Sequence, residues 1–199
     1  MTTHQLVVLT GGMGQPSTSR LLADRLADAV RESLALREEQ VEVAVFELRE
    51  LAHDTTRALV NQMESEALLA AKQAVIGADA LIVVNPVFNG GVSGIVKSFL
   101  DLFTPDDLTG KPVLLGATGG SERHSLVLEY ALRPIFTHLR TWTAPTGVFA
   151  ATGDWGSGAG PTERIRRAGG ELAELIMSRP QRKQADPYDD VVPFAQLLG

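Results

Sequence analysis

Cysteine is absent from this chain of 199 residues. Disulfide bonds, thiolate metal sites and cysteine nucleophiles are therefore excluded. Long apolar runs are also lacking, since none approaches the roughly 20 residues that a membrane-spanning helix needs. The N-terminal sequence MTTHQLVVLTGG has no basic segment before its short apolar run, which is typical of a first strand rather than a secretory signal. We expect a cytoplasmic protein with no membrane segment.

Positive charge is in deficit, with a formal net charge of −6. This balance argues against a nucleic-acid partner, because binding to a phosphate backbone relies on lysine and arginine. The hydrophobic fraction of 44% and the charged fraction of 21% are ordinary for a globular protein. We predict one domain over residues 1–180, followed by a C-terminal tail at 181–199 that contains prolines and charges.

Five short segments are predicted to be strands. Three of them, at 6–9, 80–84 and 113–115, are unbroken apolar runs, as expected for strands buried on both faces of a parallel sheet. The other two, at 41–48 and 142–150, contain glutamates or a proline and are predicted to lie at the sheet edges. Apolar residues at helical spacing separate these segments, so strands and helices alternate.

This alternation matches the doubly wound strand order 2-1-3-4-5. We therefore predict an α/β fold of the flavodoxin-like type, a three-layer sandwich around a five-stranded parallel sheet. In such sheets ligands bind beyond the carboxyl ends of the strands, where the strand order reverses. The loops after the first, third and fourth strands are the candidate site.

The first loop, TGGMGQPSTSRLLA, resembles a dinucleotide-binding fingerprint without its third glycine, and it lacks the ending of a nucleoside-triphosphate loop. Its polar residues stand at a predicted helix start, where free amides and the helix dipole favour a phosphate. The candidate phosphate ligands are Ser17, Thr18, Ser19 and Arg20. The alternative is structural: Ser17 or Thr18 caps the helix, and Arg20 pairs with Asp24.

The second loop, PVFNGG, combines a rigid proline with two glycines that leave the backbone open to close approach. We predict that a flat ring lies against this backbone. The candidate residues are Pro86, Val87, Phe88, Asn89, Gly90 and Gly91. The alternative is an ordinary turn between a strand and a helix.

The third loop, ATGGSERHS, again places a glycine pair between a central strand and a helix. Its amides suit the polar edge of a ring, with Thr118, Gly119, Gly120 and His124 as candidates. A histidine in a first helical turn more often faces solvent, which is the alternative for His124. One phosphate and one planar heterocycle at the same sheet edge describe FMN.

The stretches PVFNGGVSGIVKSFLDLF and ATGGSERHSLVLEYALRPIF make the chain resemble the NAD(P)H-dependent FMN reductase family over residues 6–150. The stretches GGMGQPSTSRLLADRL and VAVFELREL make it particularly similar to actinobacterial reductases that partner luciferase-like flavin monooxygenases. The resemblance implies a homodimer or homotetramer that reduces FMN with NADPH or NADH, and no catalytic side chain, because FMN carries the hydride transfer. Many relatives have an arginine where this chain has Gly14, which implies a weakly held, exchangeable flavin.

Other functions fit less well. A hydrolase is excluded because GGVSGI lacks the final glycine of a nucleophile elbow. A flavodoxin-like electron carrier would hold FMN under aromatic side chains, whereas aromatic residues make up only 6% of this chain. A non-enzymatic FMN-binding redox sensor is a further alternative, because a fold does not fix a function.

Two more segments carry predictions. Pro134 lies inside the helical pattern SLVLEYALRPIFTHLR, where it predicts a kink or bulge. The apolar side chains of this segment predict a subunit interface, or alternatively a well-buried helix; they are Leu128, Leu132, Ile135, Phe136 and Leu139. The loop TGDWGSGAGPTER, with Asp154 and Trp155, is predicted to cover the flavin or a neighbouring subunit's site, or else to be a simple connection.

Overall fold

The computed structural model describes residues 2–155 and 161–179. The strands are β1 (Thr3–Thr10), β2 (Gln40–Glu47), β3 (Ala80–Phe88), β4 (Gly91–Val92), β5 (Pro112–Gly119), β6 (Trp142–Thr143) and β7 (Val148–Ala151). The α-helices are α1 (Thr18–Ala35), α2 (Ala52–Asn61), α3 (Glu66–Gly77), α4 (Gly94–Leu100), α5 (Pro105–Leu108), α6 (Arg133–His138) and α7 (Thr162–Ser178). The predicted tail at 181–199 and the middle of the loop after β7 lie outside the described residues.

The sheet has the predicted strand order. Its main path is β2-β1-β3-β5-β6, with parallel pairing throughout. It contains seven strands rather than five for two reasons. The last position is divided, because β6 pairs with the start of β5 and β7 with its end, and Pro145 lies in the gap between them. In addition, β4 forms a short antiparallel hairpin with the end of β3.

Burial of the strands also follows the sequence pattern. β3 and β5 are buried along almost their whole length, β1 is buried over its second half, and β2 alternates between partly buried and exposed positions. Successive side chains of a strand point to opposite faces of the sheet. In β1, Leu6 and Val8 pack with α1 and α7 on one face, whereas Val7 and Leu9 pack with α2, α3, α4 and α6 on the other. The three predicted layers are therefore present.

Close packing of α1 against α7 depends on a glycine. A Cβ added at Gly169 would stand 2.7 Å from Ala29 Cβ and 2.8 Å from Ala29 C. The obstructing atoms include backbone, which cannot rotate away. Gly170, the next residue along the same helix, has only Ser33 Oγ nearby, at 3.9 Å.

These two neighbouring glycines are expected to respond oppositely to the same substitution. Gly169→Ala should lower the free energy of unfolding by about 2 kcal/mol, because overpacking of up to ~3 kcal/mol outweighs a helix-propensity gain of about 1 kcal/mol. Gly170→Ala should raise it by up to about 1 kcal/mol. Urea unfolding of both variants measures the difference. Equal effects would contradict the packing argument.

One lysine is buried in the core. Lys111 is 1% exposed, and its Nζ donates hydrogen bonds to the carbonyl oxygens of Ile76, at 3.0 Å, and of Ala78. These carbonyls lie at the C-terminal end of α3, where a cation complements the helix dipole. Lys111 thus fastens the start of β5 to the end of α3.

Pro134 distorts the helix in which it lies, as the sequence predicts. A π-helical turn covers Leu128–Leu132 and is followed directly by α6, which has Pro134 in its first turn. Arg133 braces this junction: it pairs with Glu129 at 2.6 Å and also donates to Ala144 O and Pro145 O, both at 3.2 Å. The hydrogen bond from Arg133 lowers the pKa of Glu129.

The apolar side chains of this segment are used inside the subunit. Leu128, Leu132, Phe136 and Leu139 are buried in the core of the chain itself, and Ile135 packs against that core. The alternative of a well-buried helix therefore accounts for them, and they do not by themselves indicate a subunit interface. Among residues 2–155 and 161–179, no helix combines the length and apolarity needed to cross a bilayer.

Candidate functional site

The three predicted loops meet at one edge of the sheet. They follow β1, β3 and β5, which are parallel neighbours, so their carboxyl ends lie side by side. Together they form a cleft of about 340 Å³, within the usual range for small-molecule sites. The cleft is lined by Gly12, Met13, Gly14, Pro16, Ser17, Thr18, Ser19, Pro86, Val87, Phe88, Thr118, Gly119, Gly120 and Thr152.

The N-terminus of α1 opens into this cleft. Ser17 is the N-cap residue, and its Oγ accepts a hydrogen bond from Arg20 N at 3.2 Å. Gly12 lies directly against the cap, because a Cβ at this position would overlap Ser17 Oγ. α1 is 18 residues long and has no acidic residue in its first turn. Its free amides and dipole therefore favour an anion here.

Ser19 and Thr118 join two of the loops. Their hydroxyl oxygens lie 2.7 Å apart, and the two residues are 2% and 4% exposed. The sequence predicts each of them separately as a ligand residue. The structure adds that they bond to each other, which fixes the start of α1 to the end of β5. Each hydroxyl has one donor and two acceptor positions, so each keeps capacity for at least one more partner.

Arg20 points away from the cleft. Its Nε donates to Asp24 Oδ1 at 2.8 Å and its Nη1 to Glu47 Oε1 at 2.9 Å. The hydrogen bond to Asp24 is the main cause of the raised pKa of Arg20. Ser17 therefore caps the helix and Arg20 pairs with Asp24, as the structural alternative states. Phosphate binding by Arg20 stays a prediction. None of the described residues that line the cleft has an ionisable side chain.

The glycine pair of the second loop belongs to a tight hairpin. Val87 pairs with Val92 and Phe88 with Gly91, which leaves Asn89 and Gly90 as the turn. Both turn residues have left-handed backbone, with φ of 49° and 76°, the geometry that favours an Asn-Gly turn. A Cβ at Gly90 would meet no atom within 4 Å. The turn accounts for Gly90, and Asn89, Gly90 and Gly91 do not line the cleft, so their contact with a ligand stays a prediction.

Two polar side chains at the carboxyl edge of the sheet lack full hydrogen bonding. Asn85 is fully buried at the end of β3; its Oδ1 accepts from Ser93 N at 2.9 Å, but its Nδ2 has no partner among the described residues. Thr10 Oγ1, at the end of β1, is likewise buried and has no hydrogen-bond partner among the residues that the structure describes. Buried polar atoms without partners are uncommon; these two lie behind the cleft, since neither residue is among those that line it.

The third loop contributes backbone rather than charge. Thr118, Gly119 and Gly120 line the cleft, while their contact with a ring stays a prediction; a Cβ at Gly119 would come within 3.0 Å of the Phe149 ring. The glycine thus lets the end of β5 lie close to β7. His124 is half-buried outside the lining, and its Nε2 accepts a hydrogen bond from Arg123 Nε at 3.3 Å. A ligand role for His124 stays a prediction.

Several lining residues were not predicted from the sequence. Gly12 and Gly14 belong to the recognised glycine motif, yet their position in the cleft depends on how the loop turns. Met13, Pro16 and Thr152 carry no motif that marks them. Thr152 follows β7, where Asp154 accepts a hydrogen bond from Ala151 N at 2.7 Å. No group of three or more metal-ligating side chains occurs within the described ranges 2–155 and 161–179.

A parallel sheet in the order β2-β1-β3-β5-β6, with helices on both faces, defines a flavodoxin-like fold. A WrbA-like flavodoxin from Agrobacterium tumefaciens shares the fold, with a TM-score of 0.58 at 18% identity over 89% of this chain and 99% of that chain. The sequence profile of the NADPH-dependent FMN reductase family matches residues 5–156. The chain therefore belongs to the NADPH-dependent FMN reductase family.

Individual relatives agree with this assignment. The NADH-dependent FMN reductase SfnE of Pseudomonas putida is 37% identical over 86% of this chain and 91% of its own length. The solved structure of an oxidoreductase from Corynebacterium diphtheriae has a TM-score of 0.86 at 41% identity and covers 89% of this chain and 99% of that one. The family, the oxidoreductase class and the pairing of FMN with NAD(P)H, all predicted from the sequence, are confirmed.

Proposed function

We propose that this enzyme oxidises NADH or NADPH, reduces FMN in the cleft at the carboxyl edge of the sheet, and exchanges the flavin between turnovers. The single observation that carries the site assignment is the cleft itself: three loops meet there beside the N-terminus of an 18-residue helix, and the lining is uncharged. An anionic phosphate and a neutral flat ring fit its two ends.

The phosphate would be held by Ser17, Thr18, Ser19 and the amides at the start of α1. Hydroxyls and backbone amides suit phosphate oxygens, and the helix dipole adds to the attraction. Because Arg20 is engaged by Asp24 and Glu47, no guanidinium is supplied from this helix turn. Neutral donors bind phosphate more weakly than charged ones, which fits an exchangeable flavin.

The isoalloxazine ring would lie against the ends of β3 and β5. Pro86, Val87 and Phe88 present apolar surface, and the backbone at Gly119 and Gly120 is free of side chains that would block a ring edge. When bound, FMN supplies the redox chemistry by taking a hydride from the nicotinamide ring. The protein orients the ring and excludes water from its covered face. No side chain of the lining has to ionise for this.

The destination of the electrons is also part of the proposal. Reduced FMN would pass to a flavin-dependent monooxygenase, or electrons would go to quinone or azo acceptors. A cytoplasmic location and a homodimer or homotetramer belong to the same proposal. Leu126, just before the π-helical turn, and Tyr130, within it, are 61% and 79% exposed and are apolar surface that a second subunit could cover.

The first experiment follows NADH and NADPH oxidation by the purified protein with added FMN, FAD or riboflavin, together with a flavin-binding titration. We expect turnover that depends on added flavin, with FMN preferred to riboflavin because only FMN has the phosphate. Tight FMN binding without NAD(P)H turnover would instead favour the electron carrier or the redox sensor. The absence of both flavin binding and NAD(P)H turnover would refute the flavin site.

A further inference from the structure

The loop between β1 and α1 is held from outside by an arginine that no sequence motif marks. We infer that Arg49 is a positioning residue for the proposed phosphate site, and that it sets the preference of the enzyme for FMN over flavins without a phosphate. This inference rests on the proposed function, since it concerns the same loop.

The fold brings Arg49 to the loop from a distant part of the chain. Leu48 N donates to Thr10 O at 2.9 Å, so the segment after β2 runs beside the segment after β1. Arg49 Nη1 then donates to Gly14 O at 3.0 Å. Gly14 is itself a lining residue of the cleft. The guanidinium therefore contacts the loop on one side while the cleft lies on the other.

The contacts of Arg49 span two consecutive loop residues. With the Gln15 amide oriented to suit its surroundings, its oxygen accepts from Arg49 Nη2 at 2.9 Å and from Nη1 at 3.3 Å. The Arg49 side chain is only 17% exposed, unlike a solvated surface charge. A planar guanidinium with several fixed donors can hold such an arrangement, whereas a single ammonium cannot.

Glu47 links Arg49 to the start of α1. Its Oε2 lies 2.5 Å from Arg49 Nη2, and its Oε1 accepts from Arg20 Nη1 at 2.9 Å. Glu47 is also 17% exposed. One carboxylate at the end of β2 thus bridges the guanidinium that holds the loop and the guanidinium on the first turn of α1. The loop and the helix start are fixed relative to each other, which preorganises the donors for a phosphate.

Arg49→Lys tests this geometry, because it keeps the positive charge and removes the planar guanidinium with its fixed donors. We expect the dissociation constant for FMN to rise about tenfold, the equivalent of one lost hydrogen-bonded restraint, and that for riboflavin to change less than about twofold. Inorganic phosphate should compete with FMN less effectively in the variant than in the wild type. Arg57→Lys, at an exposed position on α2, is the matched control and should change neither constant.

The full-length protein is titrated with both flavins by fluorescence quenching, and thermal unfolding is recorded for each variant. Equal losses of FMN and riboflavin affinity would mean that Arg49 only supports the fold, and an FMN affinity that does not change in Arg49→Lys would mean that Arg49 does not position the phosphate site. Either result overturns this inference and leaves the proposed function standing. A wild-type protein that binds both flavins equally would overturn the proposed phosphate site, and this inference with it.

Discussion

Gly12→Ala is expected to weaken FMN binding on the order of a hundredfold. A methyl group at this position would overlap Ser17 Oγ, which caps α1, and would lie 3.2 Å from Ser19 Cβ. The hydroxyl would have to leave the cap, and the loop would move away from the proposed phosphate site. The lost cap alone should lower the free energy of unfolding by about 1 kcal/mol. Flavin titration and urea unfolding measure the two effects.

A double-mutant cycle separates this mechanism from general damage to the loop. Ser17→Ala removes the overlapping oxygen and leaves only a 3.1 Å approach between the two Cβ atoms. In that background, Gly12→Ala should add little to the loss that Ser17→Ala already causes, because the two changes remove the same interaction. Fully additive losses would show that Gly12 acts through something other than Ser17.

Lys111→Met is expected to lower the free energy of unfolding by about 3 kcal/mol. Methionine has nearly the same length and fills much of the same space, so the main change is the loss of the ammonium donor. The carbonyls of Ile76 and Ala78 at the end of α3 would then lose this charged donor, and that of Ala78 lies in the buried interior. The loss of these hydrogen bonds carries most of the expected cost. Urea unfolding with unchanged far-ultraviolet circular dichroism is the measurement.

Lys97→Met is the matched control for this change. Lys97 is exposed on α4, where it pairs with Asp101 one turn later. Exposed pairs of this kind contribute about 0.3–0.5 kcal/mol, so the control should be nearly neutral. A loss below about 1 kcal/mol for Lys111→Met, or equal losses for both lysines, would argue against a structural role of the buried ammonium.

The described residues that line the cleft include no charged side chain, and this fits the proposed exchange of flavin. Two arginines, Arg20 and Arg49, lie next to the loop between β1 and α1, but carboxylates pair with both. They stabilise the shape of the loop rather than face the cleft. In the proposed function the flavin is exchanged between turnovers, and a phosphate site built from neutral donors would give the modest affinity that such exchange needs.

Much of the architecture could be predicted from local patterns. The apolar runs at 6–9, 80–84 and 113–115 identify the central strands, because strands covered on both faces need no alternation. The strand order then places the three loops together at the carboxyl edge. Pro134 predicts the helix distortion, since its ring cannot fit a regular α-turn. The division of the last strand into β6 and β7 was not predicted, although Pro145 marks the break.

The sequence alone determined the fold class, the family and the three loops that form the cleft, because these depend on residue types at short spacings. Tertiary structure alone decided which way the side chains of those loops point. Arg20 pairs with Glu47, Arg49 reaches Gly14, and Ser19 meets Thr118. Each of these contacts joins segments that are far apart along the chain. Only the packing of β1 beside β2 and near β5 brings such partners within hydrogen-bonding distance. This packing joins distant segments, so no short sequence pattern predicts the individual contacts.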